Sequence, residues 1–320
     1  MRHLSFEDLD ADSATFDATV AKTPEIDLYC SASDWILPAH TAFAPEQTAF
    51  MWRSENGYLA FALEEQQRIL MPLELSWGFP SPLIGESPES LVVDLAVLLA
   101  TERRAWKLCA VGGIIPGSRA FRALIIQLGE DYRLHRGEST RRYRAWLHDG
   151  VDGFLSRRPR DFRKSLRRSR AKANSMGMTF ERVPDDASAE AVYERVLDVD
   201  RRSWKGREGV GLASSSMALH YRLQTERLLR RGALRLWFAR HEDRDVGYIL
   251  GGLFASTYRG LQFAYDDAYA PVGLGNLMQL VTIESVAAEG IALYDLGSDV
   301  DYKARWGDEC FETMTVLIAA

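Results

Sequence analysis

Apolar positions along this chain recur in two periods, and the change from one to the other is sharpest between Leu261 and Met278. Leu261, Phe263 and Tyr265 alternate with Gln262 and Ala264, the period of a half-buried strand, while Leu274, Leu277, Met278 and Val281 recur at helical spacing. The change falls across Pro271 to Gly275. Glycines at 273 and 275 let the backbone come close to a ligand, and the helix that follows offers unpaired N–H groups and a partial positive charge to an anion. That is the chemistry of a pyrophosphate cradle.

The rest of the chain can be placed relative to this stretch. Residues 1 to about 25 read as a polar entry segment with one strand at its start, and Ser31 to Phe43 as a helix bent or shortened by Pro38. Ala49–Arg53, Tyr58–Leu63 and Arg68–Trp77 read as strands, the first two joined by the hairpin signal Asn56-Gly57. A proline-containing break precedes a helix over Glu89–Arg104. Trp106–Val111 follows as a strand ended by Gly112-Gly113, then a helix over Ser118–Leu128 and strands at Tyr132–Arg136 and Tyr143–Leu147. After Asp149-Gly150 the order begins again. A basic helix over Phe154–Met176 leads to the strand Met178–Val183 and to helices over Ala187–Trp204 and Met217–Arg230. The strands Ala233–Arg240, Asp245–Phe254 and Tyr258–Tyr265 precede the glycine turn and its helix, and Ala292–Leu296 and Glu312–Ala319 close the chain.

The two halves share an order: helices, a three-strand meander, a break with proline, a helix, and a strand ending in glycine. Trp77 to Gly113 parallels Tyr265 to Gly297 in this layout. The expected architecture is therefore α/β, with mixed, mostly antiparallel sheets flanked by helices, in two similar domains covering 1–149 and 150–320.

Composition narrows the function. With 320 residues, 47% of them apolar and 26% charged, the chain reads as a soluble globular enzyme or binding protein. A net charge of -6 argues against non-specific nucleic-acid binding. Cys30, Cys109 and Cys310 are scattered and odd in number, so no disulfide framework is expected. The first residues lack the apolar core of a secretory signal, and no run reaches the about 20 apolar residues of a membrane helix, so no membrane insertion and a cytoplasmic location are expected. The six histidines show no metal spacing, so no metal is expected.

The glycine turn resembles the cofactor motif of the GNAT superfamily of N-acyltransferases, Arg/Gln-x-x-Gly-x-Gly/Ala, with Ala270 standing where that motif has Arg or Gln. Residues 150 to 310 more specifically resemble the Fem-like branch of that superfamily and its cellulose-biosynthesis-associated, CelD-type, acetyltransferase relatives. The matching segments are Arg163-Lys164-Ser165-Leu166-Arg167-Arg168, Arg202-Ser203-Trp204-Lys205-Gly206, Ala264-Tyr265-Asp266 with Pro271-x-Gly273, Tyr294-Asp295-Leu296-Gly297, and Tyr302-Lys303-x-x-Trp306-Gly307. The resemblance implies tandem GNAT-like domains with the acyl donor in the second. The break Ser81-Pro82-Leu83-Ile84-Gly85 lacks a second glycine, so the first domain is expected to hold no cofactor.

What the resemblance implies is N-acyl transfer from a CoA or acyl-carrier-protein thioester to an amine on a small molecule, sugar or peptide. Such a reaction needs a neutral amine, a stabilised carbonyl oxygen and a proton for the departing thiolate. A splayed strand near Phe263, Ala264 and Tyr265 would bind the thioester, and Val272, Gly273, Leu274, Gly275 and Asn276 the phosphates. Asp266 is the candidate base, against a turn cap as the plainer role, with the cap favoured for Asp267. Tyr302 would protonate sulfur, and Lys303 would stabilise the oxyanion or a phosphate. Arg202, Trp204 and Lys205 would shape the acceptor pocket. The basic run from Arg157 to Lys172 reads first as a solvated face or one steering a phosphate-bearing or carrier-protein donor. The tRNA surface of a Fem-type aminoacyl transferase is its second reading. A non-catalytic binding module of the same fold is a third, kept open by Ala270.

Overall fold

The chain divides into two units, Met1–Arg141 with Phe311–Ala320, and Arg142–Cys310. This computed structural model describes residues 1–74, 76–212 and 215–320, so residue 75, inside the strand expected over Arg68–Trp77, lies outside the described residues. The sequence division at 149/150 differs from these units for a reason that side-chain alternation does not carry. The strand Glu309–Ala319 pairs antiparallel with Leu108–Ile114, which draws residues 311–320 into the first unit. Residues 142–146 pair with Leu293–Ser298, which draws them into the second.

In the first unit the meander is Thr48–Arg53, Tyr58–Glu64 and Ile69–Pro72, extended at one edge by Arg2–Leu4. The Asn56-Gly57 turn closes with Ser54 N–H on the Gly57 carbonyl at 2.9 Å. Gly57 has φ +137°, the conformation that calls for glycine. The helix Pro88–Thr101 buries Leu91, Leu95, Leu98 and Leu99 against Phe61 and Trp106, each such side chain contributing roughly 1.5–3 kcal/mol. Leu108–Ile114 continues through Gly112-Gly113 instead of ending there, and runs parallel to Ile69–Pro72. The entry segment holds, besides its strand, the helices Phe6–Ala11 and Ser13–Val20; a Ser5–Asp8 capping box starts the first, and Leu9, Phe16 and Val20 anchor both. Tyr132–Arg136 and Tyr143–Leu147 prove to be ends of one strand, Arg133–Trp146.

The second unit repeats the layout: Leu234–His241, Arg244–Phe254 and Thr257–Tyr265 form the meander, with Thr179–Arg182 at its edge. Leu293–Ser298 runs parallel to Thr257–Tyr265. The expected basic helix is two helices, Gly150–Ser156 and Arg160–Ser175, because Pro159 has no N–H to continue the ladder. One sheet face packs on Arg160–Ser175 and on the helix Leu274–Ala288 through Leu166, Leu277, Ile283 and Ile249. The other packs on Ala189–Arg202 and Ser215–Arg230 through Val192, Val196, Leu228 and Tyr248.

Candidate active site

Within the second unit, Thr257–Tyr265 and Leu293–Ser298 are paired over only three positions, Thr257–Leu293, Tyr258–Tyr294 and Arg259–Asp295. Past Arg259 the strands part. A bulge near Leu261, where the register against Arg244–Phe254 jumps from Leu250–Gln262 to Gly251–Gly260, bends the strand at that point. Asp266 N–H bonds back to Val246 O at 2.9 Å, so the backbone groups of the alternate residues Phe263 and Tyr265 face the gap.

The gap holds a small cavity of about 40 Å³ lined by Gln262, Phe263, Gln279, Tyr294, Tyr302 and Lys303 among others. At about 10–15 Å³ per water-sized probe, that is room for a group of three or so heavy atoms. Tyr302 sets its ring edge-on to Phe263 with centroids 5.8 Å apart. Burial pushes its hydroxyl up to about 12, so it stays protonated at neutral pH. Lys303 donates to Ser298 O at 3.0 Å. Its ammonium is brought down to about 8, first by burial, then by the cation of Arg259. Across the gap Lys205 donates to Phe263 O at 3.1 Å and to Gln262 Oε1 at 3.2 Å. Burial lowers its pKa too.

Beneath the gap lies a buried charge cluster. Asp295 accepts from Arg142 at 2.5 Å, pairs with Arg259 at 2.7 Å, and takes the Gly297 N–H at 2.7 Å. Burial alone would raise the Asp295 pKa, but the two guanidinium groups outweigh it and hold the carboxyl below its ordinary range. Around one carboxylate stand Arg142, Arg259 and Lys303, with Lys205 across the gap. The field at the cavity is therefore positive.

The glycine turn follows the end of the first of the parting strands, Thr257–Tyr265. A 3₁₀ turn, Asp267–Val272, ends at Gly273, whose φ of 74° and ψ of 36° are left-handed. Gly273 is the N-cap of Leu274–Ala288, and no side chain caps that helix. Its first-turn amides thus meet no protein acceptor from the cap side chain, as an anion site requires. A Cβ at Gly275 would lie 2.9 Å from the Tyr265 ring and 3.3 Å from that of Phe263, so this glycine lets the strand end and the helix meet. The corresponding helix of the first unit differs: Ser87 caps it by accepting from Ser90 N–H, and Pro88 contributes no N–H.

Phe263, Tyr302 and Lys303 thus line one cavity, Lys205 holds the Phe263 carbonyl, and Gly275 meets the Tyr265 and Phe263 rings, while Val272 and Leu274 are buried in the core. Ala264 turns its side chain into the opposite core, where it is buried. Asp266 is elsewhere: Oδ1 accepts from Ala268 N–H at 3.1 Å and Oδ2 lies 3.4 Å from Arg202. Arg202 also binds Asp198 and the Asp245 carbonyl, while Asp267 pairs with Arg207. Trp204 is 46% exposed, which rules out a core role. Sequence reasoning missed Gln262, Gln279, Tyr294, Arg142 and Arg259. Only Tyr294 had a local signal, in Tyr294-Asp295-Leu296-Gly297; Gly260 makes room for its ring, and its hydroxyl bonds Gln279.

Residues 160–304 match the family model of the acetyltransferase (GNAT) domain. No curated protein matches the sequence. Among solved structures the chain is similar to FemX, at 12% identity and a TM-score of 0.68, over 98% of this chain and 96% of that one. A tandem GNAT protein from the clavulanic acid biosynthesis pathway matches at 14% identity and a TM-score of 0.53, over 99% and 97%. The C-terminal domain of a putative lysylphosphatidylglycerol synthetase from Agrobacterium fabrum matches at 12% identity and a TM-score of 0.58, over 97% and 92%. At such identities the likeness is one of fold: two GNAT-like domains in tandem, mixed α/β.

Proposed function

Because residues 160–304 are a GNAT acetyltransferase domain, we propose that the second unit transfers a small acyl group from a CoA-type thioester directly to an amine. The observation that carries this reading is the parting of two parallel strands beside Lys303 and Tyr302, with an uncapped helix whose Gly275 lies against Phe263 and Tyr265 of the first strand. Phe263 and Tyr265 present backbone groups to the thioester carbonyl, and the Lys303 ammonium offsets charge as it grows on the carbonyl oxygen. The amine nitrogen bonds to the acyl carbon and the carbon–sulfur bond breaks. Tyr302 gives its proton to sulfur and recovers one from the amine through water. Asp266 serves this reading as the residue that holds the turn: it caps the 3₁₀ segment leading to Gly273 by accepting from Ala268 N–H, and its other oxygen pairs with Arg202. Lys205 holds the Phe263 carbonyl, and the exposed Trp204 lies on the same short helix, at the side from which an acceptor enters.

The cavity suits an acyl group about the size of acetyl, and the chemistry is compatible with either free CoA or a carrier-protein arm. Support for the first unit holding no donor comes from its capped helix start. A second reading, aminoacyl transfer from tRNA, is favoured by one feature, the exposed face bearing Arg160, Arg167 and Arg168. The positive field around Lys303 opposes it, because an aminoacyl donor brings an ammonium into that field. Thiol release from acetyl-CoA in the presence of a panel of amines tests the proposal, with Tyr302→Phe as the comparison. Amine-dependent thiol release that falls about ten- to a hundredfold in the variant supports it. No release with any acyl-CoA, and no rise in melting temperature on adding one, contradicts it.

A further inference from the structure

The phosphate turn lacks a side-chain cation of its own, since Ala270 occupies the leading position of its motif. The neighbouring helix Arg160–Ser175 brings two polar groups to the same place. Ser169 is only 9% exposed, and its hydroxyl makes no hydrogen bond among the described residues. That hydroxyl lies 2.5 Å from where a Cβ on Gly273 would stand, so only glycine at 273 lets it reach the turn. One helical turn further on, the exposed Lys172 rests its ammonium on Pro271 O at 3.2 Å, two residues before the same glycine. The Ser169 hydroxyl is thus left free to donate beside Gly273, the residue that starts a helix no side chain caps.

We propose that Ser169 and Lys172 complete the anion cradle at Gly273 and bind a phosphate of the thioester donor. This rests on the thioester-donor reading and adds residues to it. Ser169 donates its hydroxyl, Lys172 exchanges a neutral carbonyl for a charged phosphate oxygen, and the first-turn amides of Leu274–Ala288 supply the rest. The cation that the turn lacks in its own segment is thus provided by a second helix.

Calorimetric titration at physiological ionic strength with coenzyme A, 4′-phosphopantetheine and pantetheine tests this. Lys172→Ala should weaken coenzyme A binding about tenfold and Ser169→Ala about threefold, with pantetheine affinity unchanged. Lys164→Ala, a charge-matched change on the exposed face of the same helix, should alter nothing. Weakening with coenzyme A alone assigns the contact to phosphates of the nucleotide; weakening with phosphopantetheine too assigns it to the phosphate that a carrier protein shares. Full coenzyme A affinity in both variants overturns the inference and leaves the donor reading standing. An equal loss for pantetheine also overturns it, by showing a general effect on the fold. If the unaltered protein binds none of the three, the donor reading falls and this inference with it.

Discussion

Lys303 is where function and stability oppose each other most directly. Its pKa is lowered to about 8, so the folded protein disfavours its charge. Below about 8 that charge reduces stability; as pH rises from there towards the ordinary lysine value near 10.4, the native state has already lost a proton the unfolded chain still holds, and stability rises. Lys303→Met should therefore stabilise the protein at neutral pH by about 1–2 kcal/mol, a figure reduced for the residue's partial exposure. The same change should lower turnover about a hundredfold, and turnover of the unaltered protein should decline above pH about 8. Urea denaturation and a pH–rate profile check the pair. A destabilised variant with full activity would make Lys303 a structural residue. Lys303 and Tyr302 were legible in the sequence because they fall in one short motif. Arg142 and Arg259 were not, because a buried arginine and a surface arginine look alike until the strands around them are paired.

Among the elements, the glycine turn and the helix beside it form one unit. A Cβ at position 273 would face φ +74° and the Ser169 hydroxyl at 2.5 Å, but the Ser169 Cβ only at 3.5 Å. Gly273→Ala should cost about 1–2 kcal/mol through backbone strain and this clash. In a Ser169→Ala background the clash is gone and the cost should shrink, so the two changes couple in a double-mutant cycle. Additive effects would mean that the two residues do not touch. The turn itself was readable, since the period changes across it. The basic run was not readable as several things, yet the structure divides it. Arg157 and Arg158 bind Asp308, Arg170 pairs with Glu284 at 2.6 Å, Lys172 sits on Pro271 O, Arg163 is half-buried, and Arg160, Lys164, Arg167 and Arg168 are exposed. Asp308, Glu284 and Pro271 lie more than 90 residues away in sequence from these cations, where spacing carries no information.

For the whole molecule, the repeated layout was legible as two meanders, each followed by a helix and a strand. Which strands close each unit was not, because pairing of residues 142–146 with Leu293–Ser298, and of Leu108–Ile114 with the last strand, depends on neighbours far along the chain. Asp295 ties the second unit together at that closure by joining Arg142 to Arg259. Asp295→Asn would leave two buried guanidinium groups without their carboxylate and should destabilise by about 3–5 kcal/mol. In the unaltered protein the Asp295 contribution is present above the ordinary aspartate pKa and disappears as pH falls through its lowered folded value, so acid unfolding should begin earlier in the variant. An unchanged denaturation midpoint would contradict this. The central claim, a thioester donor seated in the strand gap with its phosphates on the Gly273 turn, is tested most directly by amide hydrogen exchange with and without coenzyme A. The account expects slowed exchange at Phe263–Tyr265 and at Leu274–Asn276 together; binding of coenzyme A with protection elsewhere and none at these two segments would contradict it.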